Sequence, residues 1–275
     1  MSLLQKIRGF FAAKRPEEHP GPAPTTFSAD NEAARSTWNE AYLIKQYKAV
    51  SAESKTFAGH YGDFNAFLYR ADFDSFLRKE VLPFREPDNK FIEFLDKNHW
   101  QEKHPFNFPG PFYAGYSDTC GTGIGEAPYN VMNDSHCYEY VFRQPKDFTE
   151  LLQMLDAAAV EVFDSYSSNG NDYWTYEACK EWWSTREQII AALRDEELVQ
   201  MNDGQAQAYI NYLNGDAEAD LQRYCYFLLN GTYPMSVAAI LPSLDIHSCS
   251  YNFPYCTSSP DTLSPAAAVP ASFTR

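Results

Sequence analysis

The chain has 275 residues, of which 44% are hydrophobic and 16% aromatic, and its formal net charge is −15. This composition is typical of a globular protein and excludes a chain that stays disordered. The negative charge argues against nucleic acid and anionic membranes as partners, because like charges repel, and it favours a basic partner instead.

The charge is divided unevenly along the chain. Residues 1–103 contain 15 basic and 15 acidic residues, whereas residues 104–274 contain 22 acidic residues and only six basic ones. Almost all of the net negative charge therefore belongs to the C-terminal part. Net charge influences association and solubility rather than fold, so this asymmetry bears on what the protein attracts.

The N-terminal residues differ from the rest in composition. Residues 1–15 predict a basic amphipathic helix, because apolar side chains recur at helical spacing and the charged residues among them are all basic. Such a helix can dock on protein, which we favour, or make weak peripheral contact with a membrane through residues 2–15. Residues 16–27 contain four prolines and predict a linker. No run of 18 apolar residues occurs anywhere, so no transmembrane helix is expected.

The next part of the chain begins a main globular domain, predicted over residues 28–256. Its first part, residues 28–103, is neutral and predicts helices at about 28–54 and 64–81, with Pro83 ending the second. Asp88 can cap a third helix. Residues 257–275 are rich in Pro, Ser and Ala and predict a disordered tail.

The second part of that domain, residues 104–256, is acidic and predicts both strands and helices. Short strands are expected at 112–116 and 138–142, with a turn at Asn133–Asp134. Helices are expected from Asp147, over 176–193 and 205–213, and from 216 to a stop at Asn230–Gly231. The predicted fold class is therefore α+β, mainly helical, with a small antiparallel β element within residues 108–145.

A glycine-rich segment, residues 118–125 (DTCGTGIG), is the strongest local motif. It is not a dinucleotide-binding fingerprint, because Glu126-Ala-Pro128 follows in place of a helix, and it lacks the GK[ST] ending of a phosphate-binding loop. Glycine allows backbone conformations and close approaches that other residues do not. We interpret the segment first as a structural loop and second as a ligand-binding loop.

The cysteines allow two kinds of chemistry. Cys120 could act as a thiol nucleophile with His136 as its base and Asp118 or Asp134 orienting the imidazole. A zinc site could instead draw on sulfur and imidazole ligands, although no CxxC pair is present. An ordinary reduced, buried cysteine is the simpler interpretation, and no cofactor is expected. The possible zinc ligands are Cys120, His136, Cys137, His247, Cys249 and Cys256.

The acidic part contains two stretches without a basic residue, 147–179 and 195–222, each with seven acidic residues and several aromatic ones. Acidic residues around exposed aromatic anchors suit a basic protein partner, because the charges steer it and the rings hold it. The alternative is a solvated acidic surface that only aids solubility. The predicted partner-binding residues are Asp172, Tyr173, Trp174, Tyr176, Asp195, Glu196, Glu197, Asp203, Tyr209 and Tyr212.

Three segments carry a resemblance: FPGPFYAG at 108–115, DTCGTG at 118–123 and GNDYW at 170–174. Together they resemble an uncharacterised bacterial family that is sometimes labelled ferredoxin. The cysteines lie too far apart in sequence for a ferredoxin cluster, so that label fits poorly. In overall character the chain is similar to immunity proteins of interbacterial toxin systems. That similarity implies a cytoplasmic, non-enzymatic protein that binds and blocks one basic toxin.

Two other hypotheses come from different classes of protein. One is a thiol-dependent enzyme or metal-binding protein centred on Cys120 and His136. The other is a peripheral membrane adaptor that uses residues 2–15. We expect a binding protein rather than an enzyme, since no catalytic motif matches the strength of the charge asymmetry.

Overall fold

In a computed structural model of the chain, the described residues are 49–87, 94–115, 121–161, 163–202, 205–236 and 238–245. The predicted N-terminal helix, the linker, the Asp88 cap and the C-terminal tail all lie outside these residues. So does most of the helix predicted over 28–54, of which the described part is helical and continues to residue 61 as α1 (49–61).

The helices of the neutral part are short and joined by tight turns. The Asp63 side chain caps the helix that begins at Phe64 by accepting the Ala66 backbone N–H at 2.8 Å. The helix predicted over 64–81 is broken after Leu68, and it continues past Pro83 rather than ending there. Pro83 is tolerated because it lies in the first turn of a helix that follows a π-helical segment. The elements are α2 Phe64–Leu68, α3 Phe73–Phe76, the π-helical turn Leu77–Val81 and α4 Leu82–Arg85.

The described residues form two small antiparallel sheets, so the mainly helical α+β class is confirmed. The first pairs β1 with β4 through the register Tyr113↔Ser167, and the second pairs β2 with β3 through Val131↔Val141. The strands predicted near 113 and 140 therefore exist, but each pairs with a strand that was not predicted. The strands are β1 Tyr113–Ala114, β2 Val131–Asn133, β3 Glu139–Val141 and β4 Tyr166–Ser167.

The acidic part is otherwise helical, and local signals set several helix ends. The Asp147 carboxylate accepts the Glu150 N–H at 2.9 Å and begins α6, and Gly231, at φ 72°, ends α12. The helix predicted over 176–193 is split at Thr185, whose hydroxyl donates to the Trp182 carbonyl at 2.7 Å. The helices are α5 Thr122–Glu126, α6 Phe148–Val160, α7 Gly170–Tyr173, α8 Tyr176–Ser184, α9 Arg186–Ala192, α10 Glu196–Met201, α11 Ala206–Leu213 and α12 Ala217–Asn230.

Among the described residues, the buried side chains form two hydrophobic clusters. The Phe-rich core lies between the helices of the neutral part and α6, and it includes Phe57, Phe67, Leu68, Phe73, Leu77, Phe112, Phe148, Leu151, Leu152, Leu155 and Tyr166. The Tyr/Trp-rich core lies among the helices that follow residue 170, and it includes Tyr140, Trp174, Trp182, Ile189, Ile190, Tyr209, Tyr212, Leu221, Tyr224 and Phe227. Within the described part of the chain, no helix is long and apolar enough to cross a membrane.

Candidate functional site

Two of the segments that carry the resemblance cross each other backbone to backbone. The Gly170 N–H donates to the Pro111 carbonyl at 2.9 Å. A Cβ atom on Gly170 would overlap the Gly110 carbonyl oxygen, so only glycine fits this crossing. The crossing places α7, and with it Tyr173, beside β1. The two glycine-containing segments thus position a surface.

That surface is an aromatic patch on α7 and on a short 3₁₀ helix, Trp100–Glu102. The Trp100 and Tyr173 rings stack at 5.2 Å between centroids and 20° between planes, and Tyr173 is 40% exposed. We call Trp100, Lys103, Asp172, Tyr173 and Glu181 the Trp100 patch. Trp100 and Lys103 escaped sequence reasoning, because only a contact between residues far apart in sequence brings them to Tyr173.

Hydrogen bonds hold the Trp100 patch in place. The Asn98 amide donates to the Tyr173 hydroxyl at 2.7 Å, and the Tyr113 hydroxyl donates to the Asn169 side-chain oxygen at 2.7 Å. Burial raises the pKa of Tyr113 to about 12, so this hydroxyl remains a donor at neutral pH. A surface whose side chains are fixed in advance loses less conformational entropy when a partner binds.

The patch already holds a cation from its own chain. The Lys103 ammonium lies 4.3 Å from the centroid of the Trp100 ring and 5.5 Å from that of Trp174. Burial lowers the pKa of Lys103, and the nearby Glu181 carboxylate partly offsets that effect. Aromatic faces and a carboxylate thus surround an ammonium group here, and the carboxylate offsets part of the cost of its burial.

Negative charge gathers at one edge of the patch. Burial raises the pKa of Asp172, and the neighbouring Asp74 carboxylate raises it further, while Arg78 opposes the shift. Asp74 is itself paired with Arg78, so the exposed Asp172 is the source of a local negative potential at this edge. A cationic group arriving from a partner would relieve it.

The prediction of exposed aromatic anchors is wrong for three residues. Trp174, Tyr209 and Tyr212 are 6%, 0% and 9% exposed, because their rings fill the Tyr/Trp-rich core. The sequence pattern could not separate an exposed aromatic residue from a buried one among acidic neighbours.

Other predicted partner-binding residues do lie at the surface. Asp172, Tyr173, Asp195 and Glu196 are exposed. Tyr176 is half-buried, and its hydroxyl donates to the Ser243 carbonyl at 2.6 Å. Asp203 and the side chain of Glu197 lie outside what the structure describes. Binding by these residues stays a prediction.

The proposed thiol and metal sites are described only in part. Cys120, Asp118, His247, Cys249 and Cys256 lie outside the described residues. The His136 side chain is 76% exposed and lies 3.9 Å from the Asp134 carboxylate, and Cys137 is half-buried. Among the residues that are described, no three His, Cys, Asp or Glu side chains are grouped to hold a metal ion.

The glycine-rich segment has a structural role in its described part. Gly123 lies in α5, and its N–H donates at 2.6 Å to Glu139, a carboxylate with no exposed surface. The Tyr166 hydroxyl donates to the other oxygen of Glu139 at 2.6 Å. A Cβ atom on Gly123 would overlap both partners. The missing side chain thus makes room for a buried carboxylate that sequence reasoning did not single out.

A buried histidine–aspartate pair also escaped sequence reasoning. The His104 Nε2 lies 3.2 Å from an Asp134 carboxylate oxygen, and Nδ1 accepts the Phe106 N–H at 3.1 Å. Burial lowers the pKa of His104 despite the aspartate, so the ring is neutral at pH 7. Since both ring nitrogens are engaged, this histidine has no nitrogen left to act as a base, and we interpret the pair as structural.

The fold and the Trp100 patch together define a mainly helical α+β protein with a fixed aromatic surface in an acidic setting. No protein family, curated protein or solved structure significantly matches the chain. The functional interpretation therefore rests on the geometry and charge of these residues.

Proposed function

We propose that this chain is a non-enzymatic binding protein that holds a basic protein partner against the Trp100 patch. The observation that carries the proposal is the exposed Tyr173 ring, stacked on Trp100 and fixed by Asn98, with Asp172 beside it. Rigid, partly exposed aromatic residues commonly supply most of the binding free energy at protein interfaces. The carboxylates add attraction for basic side chains.

The more specific form of the proposal is an immunity protein that blocks a basic toxin in the cytoplasm. The resemblance in character and the charge asymmetry support this form, since a basic toxin would be drawn to the acidic part. The Lys103 contact suggests the chemistry of recognition, because a partner's lysine or arginine would meet aromatic faces next to carboxylates.

The proposal is tested by capturing a partner with the tagged full chain from the source cell and measuring binding kinetics. Tyr173→Ala should raise the dissociation rate about tenfold or more, as expected for an interface anchor. Tyr129→Ala is the matched control, because Tyr129 is 41% exposed and lies elsewhere in the chain. Its kinetics should equal those of the unmodified protein.

Charge is tested separately in the same assay. Asp172→Asn and Glu196→Lys should mainly slow association, and added salt should do the same, because salt screens long-range attraction over about 8–10 Å. A partner whose binding is indifferent to salt, to these variants and to Tyr173→Ala would show that the acidic surface serves only solubility.

A further inference from the structure

A cleft of about 570 Å³ lies between α12, the chain segment 233–241 and the residues just before α6. Its volume falls in the range of about 300–1,000 Å³ that is usual for small-molecule sites. The Trp100 patch contributes no residue to it, so the cleft is a separate feature. We call it the Arg223 cleft, after the cation in its wall.

One wall of the cleft presents an oriented guanidinium group. One Asp220 oxygen accepts the Tyr212 hydroxyl at 3.0 Å, and the other accepts Arg223 Nη1 at 3.0 Å. Arginine has five N–H donors in a rigid planar fork, so this contact orients the group while leaving it further donor capacity. The Arg223 side chain is 42% exposed, which keeps it accessible to a ligand.

Two basic residues meet at this cleft, although basic residues are scarce in the acidic part. Of the six basic residues between 104 and 274, Arg223 and Lys146 both line the cleft, and Lys146 is exposed. Asp216 and Asp220 line it too, so the lining has no net charge. This balance favours a ligand with one negative charge over a doubly charged phosphate.

Next to Arg223, whose side chain hydrogen-bonds with Tyr233, the cleft lining is aromatic and apolar. The Tyr69 and Tyr233 rings stack at 4.4 Å and 8°, and Phe108, Met235 and Leu241 extend this lining. Burial raises the pKa of Tyr233 to about 12, so its hydroxyl stays neutral and adds no negative charge. A flat or apolar ligand body would be well accommodated there.

We propose that the Arg223 cleft binds a small organic monocarboxylate with an aromatic or apolar body. The carboxylate would pair with Arg223 and Lys146, and the body would lie against the Tyr69–Tyr233 stack. A planar guanidinium matches the two oxygens of a carboxylate, which makes arginine well suited to recognise it.

The test uses three probes that share one ring and differ in charge: 3-phenylpropanoate, L-phenylalanine and phenethylamine. Isothermal titration of the full chain should give saturable binding of 3-phenylpropanoate and none of phenethylamine. Binding of L-phenylalanine as well would identify amino acids as a ligand source. If 3-phenylpropanoate binds and L-phenylalanine does not, the site is restricted to carboxylates without an amino group.

Variants locate the binding. Arg223→Gln and Lys146→Met should each weaken 3-phenylpropanoate about tenfold, the loss expected for one charged contact. Arg186→Met is the control, because Arg186 is also a partly exposed arginine paired with an acidic neighbour, Glu187. Lys146 is exposed, so its variant stays informative even if Arg223→Gln disturbs folding. Absence of saturable propanoate binding, or equal binding by all these variants, would overturn the proposal.

Discussion

The Phe-rich core and the Tyr/Trp-rich core both depend on aromatic rings, but they differ in what those rings carry. In the first, Phe67 contacts Phe73 and Phe148 at centroid distances of 6.0 and 5.1 Å. Phenylalanine rings have no hydrogen-bonding group, so they need only close packing. In the second, most rings carry a polar group that must find a partner when it is buried.

In the Tyr/Trp-rich core, backbone carbonyl groups are among those partners. The Tyr209 hydroxyl donates to the Phe106 carbonyl at 2.9 Å, and the Trp182 indole N–H donates to the Pro105 carbonyl at 3.0 Å. The comparison shows that Tyr209 and Trp182 tie their helices to the 104–108 segment. Aromatic content there is a poor guide to an interaction surface, and Tyr173 is informative because it departs from the pattern.

The largest expected effect comes from Trp174→Ala, which should lower the free energy of unfolding by about 3–5 kcal/mol, because it empties a large volume in the core. The neighbouring Tyr173→Ala should cost below about 1 kcal/mol, since that ring is 40% exposed. Urea unfolding of both variants measures the difference. Equal losses of unfolding free energy would mean that Trp174 and Tyr173 lie in similar environments.

The next largest effect concerns Gly123, which adjoins a polar contact of the Phe-rich core. Gly123→Ala should cost about 1–3 kcal/mol, because the new Cβ would push on Glu139 and Tyr166. Gly59→Ala is the matched control: Gly59 lies in α1 with no atom within 4 Å of its missing Cβ. That control should gain about 0.5–1 kcal/mol from helix propensity. If thermal unfolding shows that both variants are more stable than the unmodified protein, Gly123 is not packed closely against Glu139 and Tyr166.

A smaller effect compares the two cores directly. Tyr209→Phe should cost about 1–2 kcal/mol although it removes only one oxygen, because the Phe106 carbonyl loses its donor. The mirror change Phe67→Tyr should also destabilise, because it buries a hydroxyl among apolar rings. If denaturant unfolding finds Tyr209→Phe neutral, hydrogen bonds do not distinguish the second core.

The smallest expected effect is a pH dependence at Asp164, a half-buried residue just before β4. Burial, and then the adjacent Asp96, raise the pKa of Asp164 from 3.8 to about 6. The folded protein holds this proton more tightly than the unfolded chain, so the free energy of unfolding should fall as pH rises from about 4 to 6. Solvent screening keeps this contribution below about 1 kcal/mol.

Asp164→Asn isolates that contribution. Asparagine has no ionisable proton and keeps an oxygen to accept the Leu95 N–H, which Asp164 accepts at 2.8 Å. Urea unfolding between pH 4 and 7 should show a weaker decline in the variant than in the unmodified protein. An unchanged decline would assign the pH dependence to other groups.

Local signals predicted much of the fold, and long-range contacts account for most of what was missed. Asp147 and Gly231 mark helix ends because caps act on neighbouring residues. The pairing of β1 with β4 depends on segments far apart in sequence, and no local pattern encodes it. The predicted fold class was therefore right while the strand partners were wrong.

The candidate site was predicted only in part for the same reason. Asp172 and Tyr173 were found because acidic and aromatic residues adjoin there, but Trp174 has the same local setting and lies in the core. Trp100 could not be found, since its role comes from stacking on a residue more than 70 positions later. Burial follows from the packing of whole helices, which composition alone does not fix.

The crossing of Gly110 and Gly170 has a consequence for folding speed. Bringing these backbones together closes a loop of roughly 60 residues, and the entropy of that closure is lost before the contact stabilises anything. Contacts of such sequence separation slow the folding of small domains. Because no side chain can adjust at the crossing, we expect it to form late, so α7 and the surface it carries would be completed only near the end of folding.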